Sequence, residues 1–230
     1  MRIIFISFLL ISLTFSLSAI DLYPRPKVGL NISQHYGIDY GYEQYEVKKG
    51  IRTGVTAGLA FDFPITDLLT ISQEFLYTNK GSRQKIKLAA TDIELDVFYQ
   101  TDYLEFPTIF ILRYYRNDNF VLSYQTGFSL SYLIQSRYEL NGLIETGAGD
   151  YELDIDKRMN NIDQFDFGII LGGGVEFPFF NRRFSIDYRV NFGIPFIELP
   201  TTEDVFPEEQ TASRVKLRNQ SYSLSLGYFF

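Results

Sequence analysis

Phe120-Val121-Leu122-Ser123-Tyr124-Gln125-Thr126-Gly127-Phe128-Ser129-Leu130-Ser131-Tyr132 is the stretch that decides the fold. Its even positions are apolar or aromatic apart from Thr126, and its odd positions are small or polar apart from Val121. Alternation sustained over this length describes a strand with two different faces. The C-terminus repeats the pattern: Tyr222, Leu224, Leu226, Tyr228 and Phe230 alternate with Ser221, Ser223, Ser225, Gly227 and Phe229.

The same period appears six more times. Val28, Leu30 and Ile32 share a face, as do Val55, Ala57, Leu59, Phe61 and Phe63, and then Leu69, Ile71, Phe75 and Tyr77. Leu104, Phe106, Phe110, Leu112 and Tyr114 form the next row, followed by Phe165, Phe167, Ile169, Leu171, Val175 and Phe177. Phe184, Ile186, Tyr188, Val190, Phe192 and Ile194 complete the set. Eight strands result, and no segment has helical periodicity of useful length.

The opposite faces carry Gly, Ser, Thr and Asn with few charges. A soluble lipocalin-like barrel or sandwich turns its polar face to water and its apolar face inward, and such a face is richer in Lys and Glu. Small residues suit the crowded inside of a narrow barrel. The apolar rows approach the roughly 9–11 residues that a tilted membrane-spanning strand requires. Residues 64–67, 116–119 and 179–183 read as short turns, and 36–51, 79–101, 135–162 and 195–215 as long polar loops. Short turns at one end and long loops at the other describe an outer-membrane barrel. The expected architecture is an all-β, eight-stranded antiparallel transmembrane β-barrel, with strand one paired to strand eight and both termini at the periplasmic end.

Met1-Arg2 followed by the apolar run Ile3 to Leu17, then Ser18 and Ala19, has the layout of a secretory signal peptide. Residues 1–19 are therefore expected to be the signal and 20–230 the barrel domain, exported through the inner membrane to the outer membrane. The absence of Cys excludes disulfides, zinc–thiolate sites, iron–sulfur clusters and thiol catalysis. A single His rules out multi-His metal sites, and no cofactor is expected. A net charge of −7 argues against nucleic acid.

Phe61-Asp62-Phe63-Pro64 and Val175-Glu176-Phe177-Pro178 each place an acid inward and an aromatic outward, then stop a ladder with Pro. A third copy, Tyr103-Leu104-Glu105-Phe106-Pro107, opens the fourth strand, where Pro107 is expected to mark a bulge. This run resembles the tyrosine–leucine–acid–aliphatic–proline signature of PorT-like outer-membrane β-barrel proteins, common in Bacteroidetes, with Phe106 in place of the aliphatic residue. The resemblance spans roughly Pro26 to Phe230. It implies an outer-membrane barrel and, for a few family members, a part in protein secretion. Gly227-Tyr228-Phe229-Phe230 is similar to the terminal signal read by barrel-assembly machinery, with Tyr228 and Phe230 on the lipid face.

The strand phases send Asp62, Glu74, Glu105, Arg113, Glu176, Asp187 and Arg189 into the lumen. Eight strands leave an interior just filled by side chains, and unpaired buried charge is costly, so these residues are expected to form a structural network. His35 is the one imidazole. It reads as an exposed rim residue, with a Ser–His pair to Ser33 as the lipid-modifying alternative. Glu203, Asp204, Glu208 and Glu209 lack the spacing of a calcium loop. The expectation is a small non-enzymatic integral membrane protein. Its partners are outer-membrane lipid, the assembly machinery during biogenesis, and a protein met by the external loops or the periplasmic rim. A secretion component, a lipid-modifying enzyme and a narrow pore are the alternatives.

Overall fold

The computed structural model describes residues 23–37, 45–88, 94–146, 149–158, 164–194, 197–198 and 216–230. The expected signal segment 1–19 and the acidic run Glu203 to Glu209 lie outside these residues. The strands are β1 (Tyr23–Gly37), β2 (Tyr45–Gly50), β3 (Arg52–Pro64), β4 (Leu69–Leu88), β5 (Glu94–Arg116), β6 (Val121–Thr146), β7 (Gly149–Arg158), β8 (Phe165–Phe179), β9 (Arg182–Gly193), β10 (Ile197–Glu198) and β11 (Lys216–Phe229).

Eight of them close an antiparallel ring in the order β1-β3-β4-β5-β6-β8-β9-β11, and β11 returns to β1 with Val28 opposite Leu226 and Leu30 opposite Leu224. Closure leaves the wall of the ring without an open strand edge, the condition for crossing hydrocarbon with strands. These eight are the strands expected from the alternation. Leu30, Leu59, Phe75, Leu112, Tyr124, Phe128, Leu130, Phe167, Tyr188 and Leu224 are all exposed on the outside. Asn31, Thr56, Ser72, Ser123, Ser129, Ser185 and Ser225 are buried inside. The inside also holds an apolar patch, Ile109, Ile111 and Ile170, contributed by β5 and β8.

All four stretches expected as long loops contain strand. β4, β5 and β6 run on past the ring through 79–88, 94–101 and 135–146, and β2 and β7 pair to the outer edges of this extension. Above the ring the sidedness of the sheet reverses. Ile86, Val97, Tyr99, Tyr138 and Ile155 share the inward face, whereas Arg83, Lys85, Asp96, Asn141 and Asp156 share the outward one. Arg83 bonds Asp96 at 3.0 Å on that outer side. Outside hydrocarbon the outer face meets water, so charge moves out and apolar side chains move in. The reversal makes 79–101 read as polar loop when the strands are phased only by the lipid-facing pattern.

Pro107 produces no bulge. It stays opposite Ser129 on β6, and the register shifts of β5 fall at Asp102/Tyr103 and Arg113/Tyr115. On the β4 side the ladder passes from Gln73–Thr108 to Leu76–Glu105. Proline has no N–H to give, and the Gln73 side chain fills the break. Gln73 Nε2 donates to the Pro107 carbonyl at 3.2 Å, and Thr108 Oγ1 donates to Gln73 Oε1 at 2.7 Å. With the carbonyl satisfied, the strand has no need to buckle.

Candidate functional site

The centre of the lumen is filled by six charges. β1 contributes Arg25 and Lys27, on the inward parity of Gly29; β3 contributes Asp62, β4 Glu74, and β9 Asp187 and Arg189. Arg25 forks onto Asp62 through Nε at 2.9 Å and Nη2 at 3.2 Å, and its Nη1 reaches Asp187 and Ser185, each at 3.0 Å. Lys27 Nζ lies 3.0 Å from Glu74 and 2.9 Å from Asp187. Arg189 takes both Glu74 oxygens, at 2.7 and 3.0 Å. Gln125 of β6 stitches the set by accepting from Arg189 Nε and donating to Asp187, both at 2.7 Å. Three cations face three carboxylates, so the cluster is neutral within itself.

Glycine makes the space for it. A Cβ on Gly174 would lie 2.5 Å from Gln125 Nε2 and 2.6 Å from Asp187 Oδ1, and one on Gly227 would lie 2.6 Å from Ser185 Oγ. The inward faces of β8 and β11 are bare at this level because the charged side chains of β1 and β9 occupy their volume.

Two smaller groups flank the centre. Toward the periplasmic turns, Arg113 holds Glu176 through Nε and Nη2, both at 2.8 Å, and Arg183 approaches the other Glu176 oxygen at 3.7 Å. Toward the outer mouth, Lys80 pairs with Glu105, which also accepts from Thr78 at 2.8 Å and Ser131 at 3.3 Å. Between the centre and this upper pair lies a cavity of about 40 Å³, lined by Lys27, Asn31, Glu105, Arg189 and Asn191 among others. That volume holds a few waters. Among the described residues no group of three or more His, Asp or Glu could hold a metal.

Each charge placed inward from the sequence lies in one of these groups: Asp62, Glu74, Asp187 and Arg189 at the centre, Arg113 and Glu176 below, Glu105 above. The sequence reading missed Arg25, Lys27 and Lys80, and so found too few cations. Extending the strand-one parity back from Gly29, and the strand-three parity forward from Glu74, would have found all three.

The family described as outer membrane protein beta-barrel domain matches residues 13–195. The chain belongs to this family. It is an outer-membrane β-barrel protein, and its eight-stranded ring and lipid-facing aromatics are the form that membrane imposes. No curated protein matches the sequence. Among solved structures it is similar to Ail, the attachment invasion locus protein of Yersinia pestis, at 11% identity over 90% of this chain and 98% of that one, with a TM-score of 0.37. It is also similar to OprG from Pseudomonas aeruginosa, at 10% identity over 91% and 95% with a TM-score of 0.40. The outer membrane protease OmpT from Escherichia coli gives 10% identity over 94% and 100%, with a TM-score of 0.43. Likenesses this distant carry no functional argument.

In this outer-membrane barrel the Tyr103–Pro107 run sits on β5 with Tyr103 and Glu105 inward, Leu104 and Phe106 outward, and Phe106 edge-on to Phe75 at 5.6 Å. Tyr228 and Phe230 pack ring to ring at 5.0 Å on the outer face. His35 departs from the expected exposed rim position: it is 3% exposed and points inward. Its Nδ1 lies 2.6 Å from Ser82 Oγ of β4, while Ser33 instead bonds the Gly81 backbone. The partner of His35 comes from a strand extension that the sequence reading took for loop.

Proposed function

We propose that this protein is a non-enzymatic outer-membrane anchor with a plugged lumen, and that it meets a protein partner through the sheet that rises above the barrel. The observation that carries the proposal is the neutral six-charge cluster spanning the lumen. A pore needs a continuous wet path. Here Arg25, Lys27 and Arg189 are locked to Asp62, Glu74 and Asp187, and the adjacent cavity has room for water rather than a hydrated solute. A barrel held shut this way leaves its external surface to do the work. The extension formed by β2, β7 and the outer ends of β4, β5 and β6 is a paired sheet beyond the ring. Photo-crosslinking from outward positions such as Lys85 or Asp156 in intact cells tests it: capture of one recurrent envelope protein supports the anchor, and capture of nothing above background removes the interaction role.

The PorT-like signature at Tyr103–Pro107 favours a finer version, in which the captured partner belongs to a protein-secretion assembly. A second reading rests on the Ser82–His35 pair, whose 2.6 Å separation suits a nucleophile and its base. Ser82 and His35 are 2% and 3% exposed, so an ester carbonyl has no approach to Oγ in this conformation. Lipid analysis of a His35→Ala strain separates this reading from the anchor, which predicts an unchanged lipid profile.

A further inference from the structure

The turn joining β8 to β9 is built against local preference. Phe180 and Asn181 both adopt positive φ, 47° and 57°. Asn tolerates that region, but a bulky aromatic pays a steric penalty there. Phe180 is also 85% exposed, the largest exposure among the exposed large apolar side chains. Apart from one edge-on contact with Phe179, so exposed a ring gains little from the protein itself.

Its surroundings indicate what it meets. Phe180 stands edge-on to Phe179 at 4.4 Å, Phe179 to Phe184 at 5.8 Å, and Phe184 packs on Tyr228 at 5.3 Å. Tyr228 continues to Phe230, itself 72% exposed. The rings form an unbroken file along the outer faces of β8, β9 and β11, and the file joins the lipid-facing rows of those strands. Through Phe179, the exposed Phe180 ring is continuous with that lipid-facing file. Arg182 lies opposite Phe179 in the ladder, on the same outward face, and is exposed. Aromatic rings next to an outward guanidinium match the layer where acyl chains give way to phosphates.

We propose that the tip from Phe179 to Arg182 is a phospholipid-binding anchor, in which Phe180 inserts among the glycerol groups of the periplasmic leaflet and Arg182 bonds a lipid phosphate. The rings fix the depth of the β8–β9–β11 side, and the guanidinium favours anionic headgroups.

The chain has no Trp, so one introduced Trp reports alone. Phe180→Trp and, as a mid-membrane control at the middle of the outward row of β8, Leu171→Trp are refolded into phosphatidylcholine vesicles with and without phosphatidylglycerol, containing lipids brominated near the glycerol or near the chain end. Trp at 180 should be quenched several-fold more by the shallow label than by the deep one, with the order reversed at 171. Phosphatidylglycerol should increase the quenching at 180, and Arg182→Gln should abolish that increase. Water-like emission at 180 without quenching would show that the tip faces the periplasm and would overturn the anchor. So would quenching indifferent to phosphatidylglycerol. Phe180→Asn gives an independent arm, because Asn suits the backbone: it should melt at or above wild type in detergent and below wild type in phosphatidylglycerol vesicles. An equal shift in both media would also overturn the proposal.

Discussion

Arg189 grips Glu74 across the full diameter of the barrel. Their strands, β9 and β4, are four apart around the ring in either direction, yet both Glu74 oxygens accept from the guanidinium, at 2.7 and 3.0 Å. A bond of this kind braces opposite walls, and its removal strands charge at a place water barely reaches.

Arg189→Leu should destabilise the barrel by about 3–5 kcal/mol, because Glu74 and Asp187 lose a partner while remaining buried. Removing both charges, Glu74→Leu with Arg189→Leu, should be milder than adding the single effects. Urea unfolding in vesicles measures both. Strict additivity would mean that the two residues do not act as a pair.

Gly174→Ala tests the packing of the same cluster from the other side. The new methyl falls 2.5 Å from Gln125 Nε2 and 2.6 Å from Asp187 Oδ1, and Asp187 is held by Arg25 and Lys27. Overpacking of this sort costs about 1–3 kcal/mol. Gly173→Ala is the control: its added Cβ meets nothing nearer than 3.3 Å, and its effect should be much smaller. Equal midpoints for the two variants would argue that the cluster is loose.

The lipid face can be separated from the lumen by bilayer thickness. Leu130 is exposed on β6, whereas Ser129 is buried and accepts from Asn191 at 2.9 Å. Leu130→Arg places charge in hydrocarbon, which costs about 2–4 kcal/mol near the midplane and much less near the rim. Thinner bilayers or detergent should relieve it. Ser129→Arg crowds the lumen, and its penalty should not respond to thickness. A like response from both would invert the assigned faces of β6.

Gln73→Leu should cost about 1–3 kcal/mol by leaving the Pro107 carbonyl without its donor near lipid. Adding Thr108→Val should cost little further, since Thr108 Oγ1 donates to Gln73 itself. Midpoints by thermal unfolding read both variants.

The ring was legible because one property, alternation, encodes both strand and membrane side: Phe128 against Ser129 is enough to phase β6. The network was legible only where charge fell within that alternation, as at Glu74 and Asp187. Arg25 and Lys27 were hidden because Pro24 and Pro26 precede each of them and suppress the reading of a strand, although both prolines sit within β1 opposite β3. Lys80 and the Ser82 partner of His35 were hidden because the sheet leaves hydrocarbon near Tyr77 and its polarity turns inside out. Register across distant strands, which joins Glu74 to Arg189, has no local signature at all.

Single-channel recording in planar bilayers is the most direct test of the plug. Refolded wild-type protein should give no steps above baseline across ordinary voltages, and it should stay silent when the outer ends of β4 to β6 are shortened. Steady ohmic conductance in the wild type, abolished by no change in the outer loops, would contradict a lumen closed by Arg25, Lys27 and Arg189 on Asp62, Glu74 and Asp187.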